Sequence, residues 1–187
     1  MPPKVRITKE DIINTAVEIV RRDGAGAINA RAIAKELNCS TQPVFSNFAT
    51  MEDLGYGVVE ATNSLYREYT EKEIKAQKYP IYKATGMAYI RFAEEEKELF
   101  KLLFMRDRST EVVSSETEEL NAISEIVQTN TGFTGDKAKL FHLEMWAYVH
   151  GIATMMATNY LELDTELVSE MLTDAYQGLK RHYESKE

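Results

Sequence analysis

The chain is poor in cysteine, proline and histidine, with 1 Cys, 4 Pro and 3 His in 187 residues. A single cysteine, Cys39, excludes an internal disulfide and fits a reducing cytoplasm. No second cysteine or adjacent histidine activates it, so it reads as a buried structural thiol. No apolar run approaches the roughly 20 residues that span a bilayer. The opening MPPKVRITKED has no apolar signal core. A cytoplasmic protein with no membrane partner is therefore expected. No strand-like alternation of convincing length appears, and Pro80 is the one clear break in the middle of the chain. The expected class is all-α, in about nine helices. Ser-His-Asp-like spacing, a glycine-rich phosphate loop and a Glu-x-x-His pair are all missing. The chain is accordingly expected not to be an enzyme and to need no cofactor.

What is present divides unevenly. Net charge is −8, but the first fifty residues carry seven basic against five acidic side chains. The remainder carries fifteen against twenty-five. A basic end suits phosphate, while an acidic remainder keeps the protein soluble and away from DNA.

The most informative stretch is Ile28 to Phe48, INARAIAKELNCSTQPVFSNF. It reads as two short helices joined by a tight turn. Asn29 can cap the first, and Ile33, Ala34 and Leu37 recur at helical spacing. Asn38 suits the left-handed backbone of a helix stop. Ser40 can cap the second helix, and Pro43 falls in its first turn, where no intrahelical N–H is required. Val44, Phe45 and Phe48 are expected to face inward, leaving Thr41, Gln42, Ser46 and Asn47 outward. A helix with short polar side chains and no acid outside fits a DNA major groove.

The flanks support this arrangement. Thr8 and Asp11, and again Thr50 and Asp53, have capping-box spacing. The first helix is expected to bury Ile12, Ile13, Ala16, Val17 and Val20 and to end at Asp23-Gly24. A long fourth helix is expected from Met51 to about Gln77, with Leu54, Val58, Ala61, Leu65 and Tyr69 on one side. Helices follow at about Ile81–Glu95, Lys97–Phe104, Ser115–Gln128, Asp136–Asn159 and Asp164–Tyr183. Leu120, Ile123 and Val127 are expected to face inward in the third of these. Arg106 to Ser109, with Arg108, is expected to be a polar loop.

From Thr8 to Leu54 the sequence resembles the DNA-binding domain of TetR-family transcriptional regulators. Ala16, Gly24, Arg31-Ala32-Ile33-Ala34, Leu37, Ser40, Val44-Phe45, Phe48 and Glu52-Asp53-Leu54 carry the likeness. Phe45 stands where the family commonly has a phosphate-contacting tyrosine, and Met51 where it commonly has lysine. Both changes remove polar backbone contacts. Trp146, His150 and Gly151, within EMWAYVHGIATM, are similar to the Trp-His-Gly signature of one C-terminal subtype. The segment from Leu99 to Met105 is similar to the same subtype.

The resemblance implies two domains, 1–50 for DNA and 51–187 for effector binding and dimerisation. Thr41, Gln42, Ser46 and Asn47 would meet bases, and Ser40, Arg31, Lys4, Arg6 and Lys9 would meet phosphates of double-stranded DNA. Met is adaptable and suits permissive binding surfaces. Met87, Phe92, Phe104, Met105, Trp146, His150 and Met155 are candidates to line a pocket for a small-molecule effector of unidentified structure. Met156, Leu163, Leu167, Met171, Leu172, Ala175 and Leu179 are candidates for a homodimer interface. His142, Trp146 and His150 share one helix face, yet no further ligand stands at metal spacing, so no metal site is expected. His150 reads as a hydrogen-bonded core histidine, with Gly151 allowing a close helix crossing. The implied function is a ligand-released repressor on a palindromic operator. The alternative is a helix-turn-helix-derived interaction module that binds DNA weakly or not at all, as Phe45 and Met51 suggest.

Overall fold

A computed structural model describes residues 7–107 and 125–185, and all regular structure among them is helical. The order is α1 (Lys9–Asp23), a 3-10 turn (Ala25–Ala27), α2 (Ala30–Glu36), α3 (Gln42–Asn47) and α4 (Met51–Lys75). Then come α5 (Ile81–Glu95), α6 (Lys97–Phe104), α7 (residues 125–131), α8 (Gly135–Ala157) and α9 (Thr165–Glu184). Lys4, Arg6, Arg108, Leu120 and Ile123 lie outside the described residues, as does most of the helix expected over 115–128. Its described end is helical and buries Val127.

The helix starts follow side-chain chemistry. Thr8 and Asp11 exchange bonds: Asp11 N–H donates to Thr8 Oγ1 at 3.1 Å, and Thr8 N–H donates to Asp11 Oδ2 at 2.8 Å. These bonds hold the Asp11 carboxyl below its usual pKa. Thr50 and Asp53 repeat the device before α4, at 2.9 and 3.0 Å. Asp164 caps α9 by accepting from Leu167 N–H at 2.8 Å.

The described residues divide into two compact units. The first runs through Arg67 and takes in Glu96–Arg106; the second holds Glu68–Glu95 and the described residues from Asp107 onward. The long helix α4 therefore contributes to both. In the first unit α1 packs against α2, α3 and α6. Its core joins Ile12, Ile19, Ile33, Val44, Leu54, Val58, Leu99 and Phe100, all fully or almost fully buried. At Gly57 an added Cβ would lie 3.0 Å from Ile13 Cδ1, which shows how closely α4 approaches α1. Arg21 ties the end of α1 to Glu96, just before α6, at 2.7 Å, and also pairs with Glu18.

The second unit is built on mutual packing of α5, α8 and α9. One core cluster joins Val127, Phe133, Ala138, Phe141, Met145 and Tyr183, with Tyr82, Ala175, Tyr176 and Leu179 packed against it. Tyr176 and Tyr183 bury their rings and still satisfy their hydroxyls, donating to Asn130 O at 3.1 Å and Glu144 Oε2 at 3.0 Å. Glu73, near the end of α4, is buried and paired with Arg91 of α5 at 2.9 Å.

Candidate nucleic-acid interface and effector region

The α2–turn–α3 segment folds as its caps dictate. Asn29 Oδ1 accepts from Ala32 N–H at 2.9 Å and starts α2. Asn38 takes φ +50° in the turn, and Cys39 N–H donates back to Ala34 O at 2.9 Å. Ser40 does not cap α3. The N-cap is Thr41, which lies in the helical region and makes no side-chain cap bond. Pro43 in the first turn supplies the rigidity instead. Cys39 is half-buried rather than enclosed, with its thiol 3.1 Å from Ser40 O.

The faces of α3 differ from expectation. The inward set is Val44 with Phe48, flanked by half-buried Thr41 and Asn47. Those four recur at three- and four-residue steps, the helical period. Phe45 is one step off that stripe and is 58% exposed, so it belongs to the outer face and not to the core. Gln42 and Ser46 stand beside it, also exposed. The Ser46 hydroxyl donates to Gln42 O at 2.9 Å, and Asn47 Nδ2 donates to Pro43 O at 2.8 Å. Both side chains thus spend a donor on their own helix.

The helix that packs against α3 carries basic side chains. Arg31 and Lys35 are exposed and form no ion pair among the described residues. Lys9 sits over the Phe48 ring at 5.0 Å, beside the end of α3. By contrast Arg22 is held by Asp23 and Glu36, at 2.8 and 2.9 Å, and these carboxylates drive its pKa upward. Arg21 is likewise committed to Glu96 and Glu18. The basic residues available to phosphate are therefore fewer than composition suggests.

The effector candidates divide between the units. Phe104 and Met105 belong to the first, where Phe104 meets Phe100 and Tyr66 at centroid distances of 5.2 and 5.3 Å. Met105 is exposed. Met87, Phe92, Trp146, His150 and Met155 belong to the second. Phe92 is fully buried, and Met87 lines a small cavity with Ile90, Arg91, Glu94, Met156, Leu163, Thr165 and Val168. Its volume is about 10 Å³, room for about one water. A drug-sized ligand needs some hundreds of Å³, so this cavity would have to open.

Sequence reasoning missed a pair of tyrosine–histidine contacts between α5 and α8. Tyr82 Oη lies 3.0 Å from His142 Nδ1, and Tyr89 Oη 2.8 Å from His150 Nδ1. Burial lowers both histidine pKa values and raises that of Tyr82. Seven residues separate the tyrosines and eight the histidines, so matching two-turn spacings were the available signal. Trp146 stacks on His150 at 5.0 Å with rings 14° from parallel and remains 43% exposed. Gly151 does not mark a close crossing among the described residues, since an added Cβ would meet nothing of theirs within 4 Å. No cluster of three metal-ligating side chains occurs among the described residues.

The dimer candidates also sort by burial. Met156 and Leu172 are covered by their own chain, Ala175 and Leu179 pack on the second core, and Leu163 lines the small cavity. Leu167 stays exposed and Met171 half-buried. The outer side of α8 adds Leu140, Leu143 and Tyr148, none of them anticipated from sequence, with Leu143 at 57% exposure.

Known proteins share this architecture. Residues 82–176 match the family model described as tetracyclin repressor-like, C-terminal domain. YobS of Bacillus subtilis (strain 168), an uncharacterized HTH-type transcriptional regulator, is 19% identical over 175 residues, covering 91% of this chain and 90% of that one. A TetR-like transcriptional regulator from Rhodococcus sp. RHA1 has a TM-score of 0.67 at 12% identity, with 100% of both chains covered. The multidrug binding protein EbrR, solved with imidazole, has a TM-score of 0.62 at 15% identity, covering 89% of this chain and 88% of that one. At such identities the structural likeness establishes the fold.

Proposed function

The chain belongs to the tetracyclin repressor-like C-terminal domain family, and from that premise we propose a homodimeric repressor that binds a palindromic operator and is released by a small-molecule effector. One observation carries the reading: α3 follows a turn pinned by left-handed Asn38, presents an acid-free outer face, and packs against α2, whose Arg31 and Lys35 are exposed and unpaired among the described residues. Residues 1–50 would dock on DNA, with Gln42 and Thr41 at base edges and Arg31, Lys9, Lys4, Arg6 and Ser40 at phosphates. Ser46 and Asn47 retain acceptor oxygens for the same groove. Residues 51–187 would bind effector and form the dimer. Two recognition helices related by a two-fold axis would then read half-sites roughly 34–36 Å apart.

The exposed apolar residues of α8, with Leu167 of α9, support a second copy as partner, because such patches mark interfaces. The Trp146–His150 stack beside Gly151 supports the Trp-His-Gly subtype. Among the described residues no helix is long and apolar enough to cross a membrane, and a cytoplasmic location is part of the proposal. The effector pocket is assigned to the second unit around Met87, Phe92, His150 and Met155, where the cavity beside Met87 supplies a starting point. EbrR, as a multidrug binding protein of the same fold, supports a small-molecule ligand for this chain. Effector binding would shift α4, which both units share, and alter half-site spacing. The effector must bind the two states unequally to do so.

Selection of sites from a random duplex pool at stated salt tests the reading. Enrichment of a palindrome whose complex is dissolved by a member of a broad ligand panel is expected. A folded protein that retains no sequence would instead favour the helix-turn-helix-derived interaction module, the reading supported by the missing polar groups at Phe45 and Met51.

A further inference from the structure

We propose that Phe45 is a specificity residue that reads the 5-methyl group of a thymine in each operator half-site. The proposal rests on the DNA-binding reading and adds the chemistry of one base. The outer face of α3 holds Gln42, Phe45 and Ser46. Ser46 gives its one donor to Gln42 O, and Asn47, on the flank, gives one of its two to Pro43 O. The ring of Phe45, 58% exposed, is the largest side chain on this face and carries no polar atom. In the family, a tyrosine commonly at this place reaches a phosphate through its hydroxyl; phenylalanine has none to offer.

A ring set on the outer face of a groove-docked helix meets base edges, backbone or water, and a ring with no polar atom gains no hydrogen bond from phosphate or water. The major-groove edges of adenine, guanine and cytosine present donors and acceptors, and a ring against them leaves those groups unsatisfied. Thymine alone presents a methyl group there. Covering it removes apolar surface from water on both partners. The absence of acid on α3, with Arg31 and Lys35 exposed on the α2 helix that packs against it, suits approach to DNA phosphates.

The test uses full-length protein and the duplex it selects from a random pool. Each half-site thymine is replaced in turn by uracil, which deletes the methyl group and keeps base pairing. One symmetric position is expected to lose affinity about fourfold per half-site, the worth of a buried methyl. The same replacement should be neutral for Phe45→Ala, an exposed position whose circular dichroism and melting should match the parent. Phe45→Leu should keep part of the discrimination. A selected duplex on which uracil costs nothing at any thymine overturns the assignment to Phe45 alone. So does a uracil penalty undiminished in Phe45→Ala. Failure to retain any duplex overturns the DNA-binding reading, and the assignment with it.

Discussion

Removing Arg91 should damage the protein far more than neutralising its partner Glu73. The two lie 2.9 Å apart, but the Glu73 side chain is 5% exposed and that of Arg91 32%. At this separation their attraction is about 6 kcal/mol for an effective dielectric near 20, and dehydration of the carboxylate offsets most of it. Arg91→Met leaves Glu73 buried and unpaired, a loss of about 3–5 kcal/mol. Glu73→Gln keeps an oxygen that accepts from Arg91, and the guanidinium still reaches water. The loss there should be about 1 kcal/mol, the difference between a charged and a neutral hydrogen bond. With a urea slope of about 2–3 kcal/mol/M, Arg91→Met should lower the midpoint by about 1–2 M and Glu73→Gln by about 0.5 M or less. Arg91→Met with Glu73→Leu removes both charges and should recover most of the stability. Urea titrations followed by circular dichroism measure all three. Equal losses for the two single substitutions, or a double substitution as weak as their sum, would refute the assignment of burial as the cause.

Three further outcomes follow from the same geometry. His142 and His150, in contact with the Tyr82 and Tyr89 hydroxyls at 3.0 and 2.8 Å, are held below their ordinary pKa by burial, which disfavours protonation of the folded rings. The unfolded chain binds these protons first, so stability is complete above pH about 6.5 and falls as pH drops through the folded pKa values. Melting temperature against pH should show this fall, and Tyr82→Phe with Tyr89→Phe should lower melting at neutral pH. Thr50→Ala removes the acceptor of Asp53 N–H and should cost about 1 kcal/mol in thermal unfolding, with the fold unchanged. Gly151→Ala meets nothing among the described residues. It should raise monomer helix stability by about 1 kcal/mol, yet weaken dimerisation in sedimentation equilibrium if α8 packs closely on its copy; an unchanged dimer would place the interface elsewhere.

Local chemistry was legible in the sequence; pairing across the chain was not. Caps at Thr8, Asn29 and Thr50, the stop at Asn38 and the helix bounds near Ile81, Glu95 and Phe104 depend on neighbours a few residues away. The same short-range logic failed at Ser40, because the turn closes through Cys39 N–H and the Thr41 backbone rather than a side-chain cap. Apolarity alone points Phe45 inward, and apolarity is a one-way guide, since folded surfaces are apolar over more than half their area. Tyr82 with His142 and Tyr89 with His150 stand 60 and 61 residues apart, beyond any periodicity. Glu73 stands among many charges on α4, and no local spacing marks it as the buried one.

Burial and exposure at these unforeseen positions separate what holds the fold from what is left to recognise something else. Glu73, Tyr82, His142, Tyr176 and Tyr183 have partners within the chain, so their polar groups are spent on packing. Phe45, Leu140, Leu143 and Leu167 keep apolar surface in water and have no such use. A chain under selection for stability alone would gain by making those positions polar. Their two locations, the outer side of α3 and the outer sides of α8 and α9, coincide with the two surfaces a dimeric DNA reader needs. The Phe45 uracil test and the Gly151 dimer test therefore probe separate surfaces of the same proposed assembly. Success in one does not guarantee success in the other, because a protein can dimerise through α8 and α9 without reading a thymine at α3.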